Sequence, residues 1–174
     1  MLKIEYEIEP IFKIDFFKIK CVNFKNKKEH IEEVLKMFPE IPFPNFYSNR
    51  GKADFTWQLQ QIFKDEFNLI KTKHNTEINV TRAWSDTYDK GHYHVPHNHS
   101  SQGYTGIIYL QINKDSHKTT YIRPWNNEKD KTVLFAPDVK QGDIMIVPQF
   151  LMHYTEPNKT YFKKRIISFD FYEL

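Results

Sequence analysis

Four histidines, His92, His94, His97 and His99, fall within eight residues; His153 stands 54 residues beyond the last of them, and Arg165 follows twelve later. Residues i and i+2 of a strand face the same side. His97 and His99 therefore project together into whatever space their strand lines, and such an imidazole pair can share one metal ion. His92 and His94 have the same spacing and compete for the role. Pro96 separates the pairs and interrupts strand pairing, and only the later pair runs directly into an apolar strand, so His97 and His99 are the expected ligands. A third ligand must then come from a different strand, which obliges the chain to fold back on itself as a sheet.

His153 answers that need. It follows Gly142–Pro148 (GDIMIVP), a turn glycine, an apolar strand and a proline stop. A lone His-x-His pair is as readily a polar loop or a hydrogen-bonded pair. The four-histidine cluster and the Gly-x5-Pro context before His153 favour a metal site. His30 in a helical pattern, His74 before a strand and His117 in a lysine-rich loop are expected to be solvated.

The rest of the chain suits a β-rich host. At 174 residues it is long enough for one domain with a real core. Aromatic residues reach 16%, with only five glycines, which favours a sheet-rich interior over disorder. The apolar positions Ile31, Val34, Leu35 and Phe38 repeat at i, i+3, i+4, i+7 and predict a helix over Lys27–Phe38. Pro39–Arg50, with Pro42 and Pro44, is expected to be a loop. A second helix is predicted from about Ala53 to Lys71, burying Trp57, Leu59, Ile62, Phe63, Phe67 and Ile70. Residues 1–20 suggest one or two strands. Ile78–Tyr88, Tyr104–Ile112, Val133–Ala136, Asp143–Val147 and Arg165–Tyr172 form an all-β succession, the mark of a sandwich or barrel. Residues 113–131 read as a mobile loop broken by a short strand near Thr119–Ile122. The expectation is a single domain, with residues 1–79 as buttress and 80–174 as the β core.

Charge and cysteine usage narrow the partners. A formal charge of +3 gives no reason to expect nucleic acid. Loop 113–131 mixes lysines with Tyr121 and Trp125, but Asp115, Glu128 and Asp130 dilute it. Cys21 is the sole cysteine, so no intrachain disulfide can form. The acidic start MLKIEYEIEP lacks the pattern of a signal peptide, and no apolar run approaches the roughly 20 residues of a membrane span. The expectation is a cytoplasmic protein of a bacterium or, given the AT-rich flavour of its Lys, Asn, Ile and Phe content, of a phage-infected host.

Two long runs carry a family resemblance. Trp84, Tyr88–Gly91, His97-Asn-His99 and Tyr104–Leu110, continued by Gly142–Pro148, His153, Pro157-Asn158 and Arg165–Asp170, resemble the phage and bacterial branch of the 2-oxoglutarate/Fe(II) oxygenases, relatives of prolyl hydroxylases. The likeness covers about residues 80–172, and Phe46–Gly51 is also typical upstream. It implies a double-stranded β-helix, a jelly-roll core similar to that of cupins, buttressed by helices. Gly91-x5-His97-x-His99 fits the opening of the first cupin motif, but that motif's later glutamate is absent.

The resemblance implies a site and a reaction. His97, His99 and His153 would hold Fe(II), where the commoner branch has His-x-Asp in place of His-x-His. A basic residue on the last strand would bind the distal carboxylate of 2-oxoglutarate. Arg165 is preferred over Lys164, since that register turns Ile167, Phe169 and Phe171 inward as an apolar wall, whereas the other turns Ser168 and Asp170 inward. Tyr109 and Tyr88 match positions whose phenols bond the oxoacid. The implied enzyme consumes O2 and 2-oxoglutarate and hydroxylates a substrate, with a protein side chain or other macromolecule expected. Tyr121, Arg123 and Trp125 are the expected substrate contacts on a lid. The rival reading is a cupin-like metal-binding protein without oxoacid chemistry.

Overall fold

The computed structural model describes residues 14–43, 48–51, 54–74 and 78–173. Strand β1 (Phe17–Lys20) leads into helix α1 (Phe24–Lys36), followed by β2 (Glu40–Phe43) and β3 (Ser48–Gly51). Helices α2 (Thr56–Ile62) and α3 (Lys64–His74) precede the long strand β4 (Ile78–Tyr88). Then come β5 (His94–His97), β6 (Tyr104–Gln111), β7 (Thr119–Ile122), β8 (Leu134–Phe135), β9 (Asp143–Pro148), β10 (His153–Thr155) and β11 (Lys164–Glu173). They form two antiparallel sheets: a major one in the order β1-β9-β6-β11-β4-β3-β2 and a minor one in the order β5-β10-β7-β8. This is the helix-buttressed jelly roll that the family resemblance implies, built on the expected succession of strands. No described helix is long and apolar enough to cross a membrane.

Both faces of the major sheet are buried, and each takes alternate residues. Ile108, Leu110, Ile144, Ile146, Ile167 and Phe169 pack in one core with Ile31 and Leu35 of α1, Leu59 of α2, and Phe67 and Ile70 of α3. The intervening positions Ile107, Tyr109, Met145 and Ile166 join Tyr88 and Val139 in a second cluster on the inner face. A fully buried Ile, Leu or Phe contributes roughly 1.5–3 kcal/mol, so the helix layer is a principal source of stability. Glu66 of α3 ties it together, accepting from the Val22 backbone N–H at 2.8 Å and from the buried Lys27 ammonium of α1 at 2.6 Å.

Two local expectations change. The segment foreseen as a loop before Arg50 forms β2 and β3, and Pro42 is tolerated because β2 lies at the sheet edge. The single helix from Ala53 is two helices that break at Phe63, which is wholly buried, while Trp57 is 67% exposed. Within residues 113–131, the short strand foreseen near Thr119–Ile122 forms as β7, an interior strand of the minor sheet between β10 and β8. Of the residues expected as strands before 21, those up to 13 lie outside the described residues, as do Phe46 and Tyr47.

Candidate active site

β-Pairing brings the distal histidine to the cluster. His153 of β10 lies opposite His97 of β5 in register, and Tyr121 of β7 flanks it on the other side. His99 sits two residues beyond β5, where its backbone N–H donates to the Gln149 carbonyl at 3.0 Å. One ring nitrogen from each of His97, His99 and His153 lies within 4.8 Å of those of the other two.

The tautomers follow from the partners. His97 Nδ1 lies 2.8 Å from the Val95 carbonyl, His153 Nδ1 3.0 Å from the Leu151 carbonyl, and His99 Nδ1 2.6 Å from a carboxylate oxygen of Asp170. Carbonyls and carboxylates only accept, so each Nδ1 carries the proton and each Nε2 keeps its lone pair for a metal. Burial, reinforced by the neighbouring His97, pushes His153 down to about 3, and burial likewise lowers His97. Neutral imidazoles are what metal ligation requires, so the donor set fits a divalent cation such as Fe(II).

The earlier histidine pair is occupied elsewhere. His92 Nδ1 accepts from the Asp89 backbone N–H at 3.2 Å. His94 is buried 5.5 Å from the His97 ring, but its nitrogens meet Ser48 Oγ at 3.1 Å and the Tyr88 hydroxyl at 3.2 Å. Behind it Asp86, 1% exposed, accepts two bonds from Arg50, at 2.9 and 3.2 Å, and others from Ser48 and Trp84. Sequence reasoning missed this network. The available signal was the scarcity of arginine, four among 25 basic residues, one of them at position 50.

The register of β11 reverses the preference for Arg165. Lys164, Ile166, Ser168 and Asp170 share the inner face, with Lys164 opposite Tyr88 and Ile166 opposite Asp86. Arg165 turns to the helix side, bonding Glu32 of α1 and donating to Thr87 Oγ1 at 3.2 Å. The apolar residues Ile167, Phe169 and Phe171 face the helix core, so they are not a pocket wall. Both faces are buried, and the apolar parity seeks the dry helix layer while the polar parity faces the site.

Lys164 is 1% exposed, its ammonium 4.9 Å over the Tyr88 ring and, among the described residues, without a hydrogen-bond partner. Burial pulls it down to about 7. The Tyr121 hydroxyl is likewise buried without a partner, and that of Tyr109 is buried against Thr119. Burial raises Tyr109 to about 12 and Tyr121 well above the usual phenol range, keeping both as O–H donors. An unsatisfied buried polar group costs about 1–3 kcal/mol, so such orphans together mark the place of a polar ligand. A cation and hydroxyl donors beside three imidazoles suit an anionic oxoacid on a metal.

The expected lid residues divide. Tyr121 is an interior residue, its ring 5.6 Å from that of His153. Arg123 stacks on Trp125 at 4.8 Å, and both line an apolar groove of about 360 Å³ with Phe16, Tyr121, Phe135 and Leu151. Tyr121 is thus the wall between groove and histidines.

The family model described as "Putative 2OG-Fe(II) oxygenase" matches residues 82–170, just over half of the chain. No curated protein matches significantly in sequence. Among solved structures, a 2OG-Fe(II) oxygenase family oxidoreductase from Burkholderia pseudomallei superposes with a TM-score of 0.68 at 11% identity, covering 90% of this chain and 84% of that one. HygX from Streptomyces hygroscopicus, with nickel and 2-oxoglutarate bound, gives 0.66 at 14% identity, covering 90% and 82%. A Pseudomonas putida prolyl-4-hydroxylase gives 0.61 at 9% identity, covering 91% and 92%. At these identities the solved structures speak for the shared fold, and the family match over the segment that carries the three histidines speaks for the chemistry: this chain belongs to the 2OG-Fe(II) oxygenases and is a 2-oxoglutarate- and Fe(II)-dependent enzyme.

Proposed function

We propose that this enzyme is a hydroxylase in which His97, His99 and His153 hold Fe(II) and Lys164, helped by Tyr109, takes the distal carboxylate of 2-oxoglutarate. The observation that carries the reading is the buried, unpartnered Lys164 ammonium on the same inner face as the imidazole triad. When bound, Fe(II) and 2-oxoglutarate supply the O2-activating chemistry, with CO2 and succinate as by-products, and the protein supplies position and electrostatics.

Each residue has a defined task. The imidazoles offer Nε2 lone pairs, and burial keeps His97 and His153 neutral. Lys164 stands near half-protonation at neutral pH; an arriving carboxylate stabilises the ammonium, so binding draws a proton onto Nζ. Tyr109 offers its O–H, and the Tyr88 ring supports the cation from below. The space among Tyr88, Thr119, Ile166 and the histidines is about 20 Å³, roughly one water, so side chains must move aside to admit the oxoacid.

The proposed substrate is a side chain of a protein, engaged through the apolar groove across Tyr121. The exposed aromatics Phe16, Trp125 and Phe135 beside the histidine strands support this, as does the structural likeness to a prolyl-4-hydroxylase. The N-terminal helices and the β core are proposed to act as one domain, since they share a core. The test is succinate release from 2-oxoglutarate with Fe(II) and ascorbate. Wild type is expected to turn over slowly without substrate, and His153→Ala not at all. Equal rates for the two, or no succinate from either, would overturn the assignment.

A further inference from the structure

His99 stands where the commoner branch of the family carries an aspartate, and the structure places a carboxylate directly behind it. Asp170 is 1% exposed on the inner face of β11, with one oxygen 2.6 Å from His99 Nδ1 and the other 2.6 Å from Arg82 Nη2. The buried Thr105 hydroxyl lies 3.1 Å from the same imidazole nitrogen. Asp170 is the register partner of Arg82 on β4 and of Thr105 on β6. The clasp on His99 is therefore one transverse row across three adjacent strands, built of residues 82, 170 and 105. The Nδ1 partners of His97 and His153 are instead neutral carbonyls two residues back in their own chain segments.

We infer that Asp170 is a positioning residue for His99, supplying from behind the ring the negative charge that a carboxylate at position 99 would have placed on the metal. The inference rests on the triad assigned above. An ionised carboxylate accepts only, so it fixes the Nδ1–H tautomer and aims Nε2 at the metal; it also draws on that proton and makes the ring a stronger donor. His99 lies outside any strand, with its backbone N–H bonded to the Gln149 carbonyl, and this clasp orients the ring. Three neutral imidazoles leave a divalent metal at its full charge, and Asp170 partly compensates it at one ring's distance. Arg82, bonded to the far oxygen, is 61% exposed, and solvent screens its charge.

The test uses cobalt(II) as an air-stable probe, because its ligand-field bands report the donor set. In the metal-free protein at mildly alkaline pH, long-range proton–nitrogen NMR is expected to show His99 with its proton on Nδ1, and Asp170→Ala to lose that preference while His97 keeps it. Asp170→Asn, which preserves volume, is expected to bind cobalt roughly 10–100-fold more weakly and to shift its bands. Should the Asp170 variants not fold, Arg82→Met carries the test: it leaves Asp170 facing His99, so cobalt affinity is expected to hold or tighten, and a tenfold loss would show the row to be mere scaffold. Wild-type affinity, bands and tautomer in the Asp170 variants, alongside lost binding in His153→Ala, would overturn this inference alone. Wild-type cobalt binding in His97→Ala and His153→Ala would instead overturn the triad.

Discussion

Lys164 and Arg165 are neighbours with opposite fates. Removing the buried ammonium should weaken 2-oxoglutarate binding, because a charge-assisted bond contributes about 1.5–3 kcal/mol, or roughly 10–100-fold. Calorimetric titration with cobalt present is expected to show that loss for Lys164→Met, with Arg165→Ala close to wild type. Arg165→Ala should instead cost about 1 kcal/mol of stability or less through its lost pair with Glu32. The pH dependence has a definite sign. The native group titrates at about 7 and an unfolded lysine near about 10.4, so between these values only the unfolded chain holds the proton. Stability therefore rises with pH across that window, and the whole cost is present below it. Lys164→Met should be more stable than wild type below about pH 7, by an amount on the order of a few kcal/mol that fades toward about pH 10, as followed by urea melts at several pH values.

Among the elements, β6 and β11 approach each other closely at one glycine. Gly106 lies opposite Phe169, and a Cβ there would fall 2.1 Å from the phenyl ring. Phe169 is wholly buried against Phe67 of α3 and has nowhere to retreat. Gly106→Ala is expected to destabilise by roughly 1–3 kcal/mol, seen as a lower urea midpoint at unchanged slope. The connection after β7 behaves differently. Arg123 and Trp125 rest on each other at the groove rim, so replacing both by alanine should slow substrate-coupled turnover while cobalt and oxoacid affinity stay nearly intact. Parallel loss of all three would assign that connection to the framework.

At the scale of the molecule, the main hydrophobic core and the histidine site are built from separate residues. The core between helices and major sheet includes Ile31, Leu59, Phe67, Ile108 and Phe169 and none of the three histidines. Chelation should leave the circular dichroism of the sheets intact. Saturating cobalt at about a hundred times its dissociation constant should raise stability by about 2.7 kcal/mol, visible as a higher melting temperature. His153→Ala should remove that rise while retaining the metal-free melt, and a chelated wild type that unfolds would contradict this separation of core from site.

Residue spacing alone indicated the β-rich class, the helix on Ile31 and Leu35 and the two ends of the histidine constellation, because these are local patterns: period 3.6, period two, a turn glycine before a strand. Pairing across the sheets decided the rest. The alternation of β11 was legible, yet which parity faces the histidines was not, since a strand buried on both sides shows its apolar residues to the drier face. That face proved to be the helix layer, which put Arg165 against Glu32 and left Lys164 and Asp170 beside the site. The contacts of Asp86 with Arg50 and of His99 with Asp170 join residues 36 and 71 positions apart. No sequence window holds such partners; register across neighbouring strands creates them.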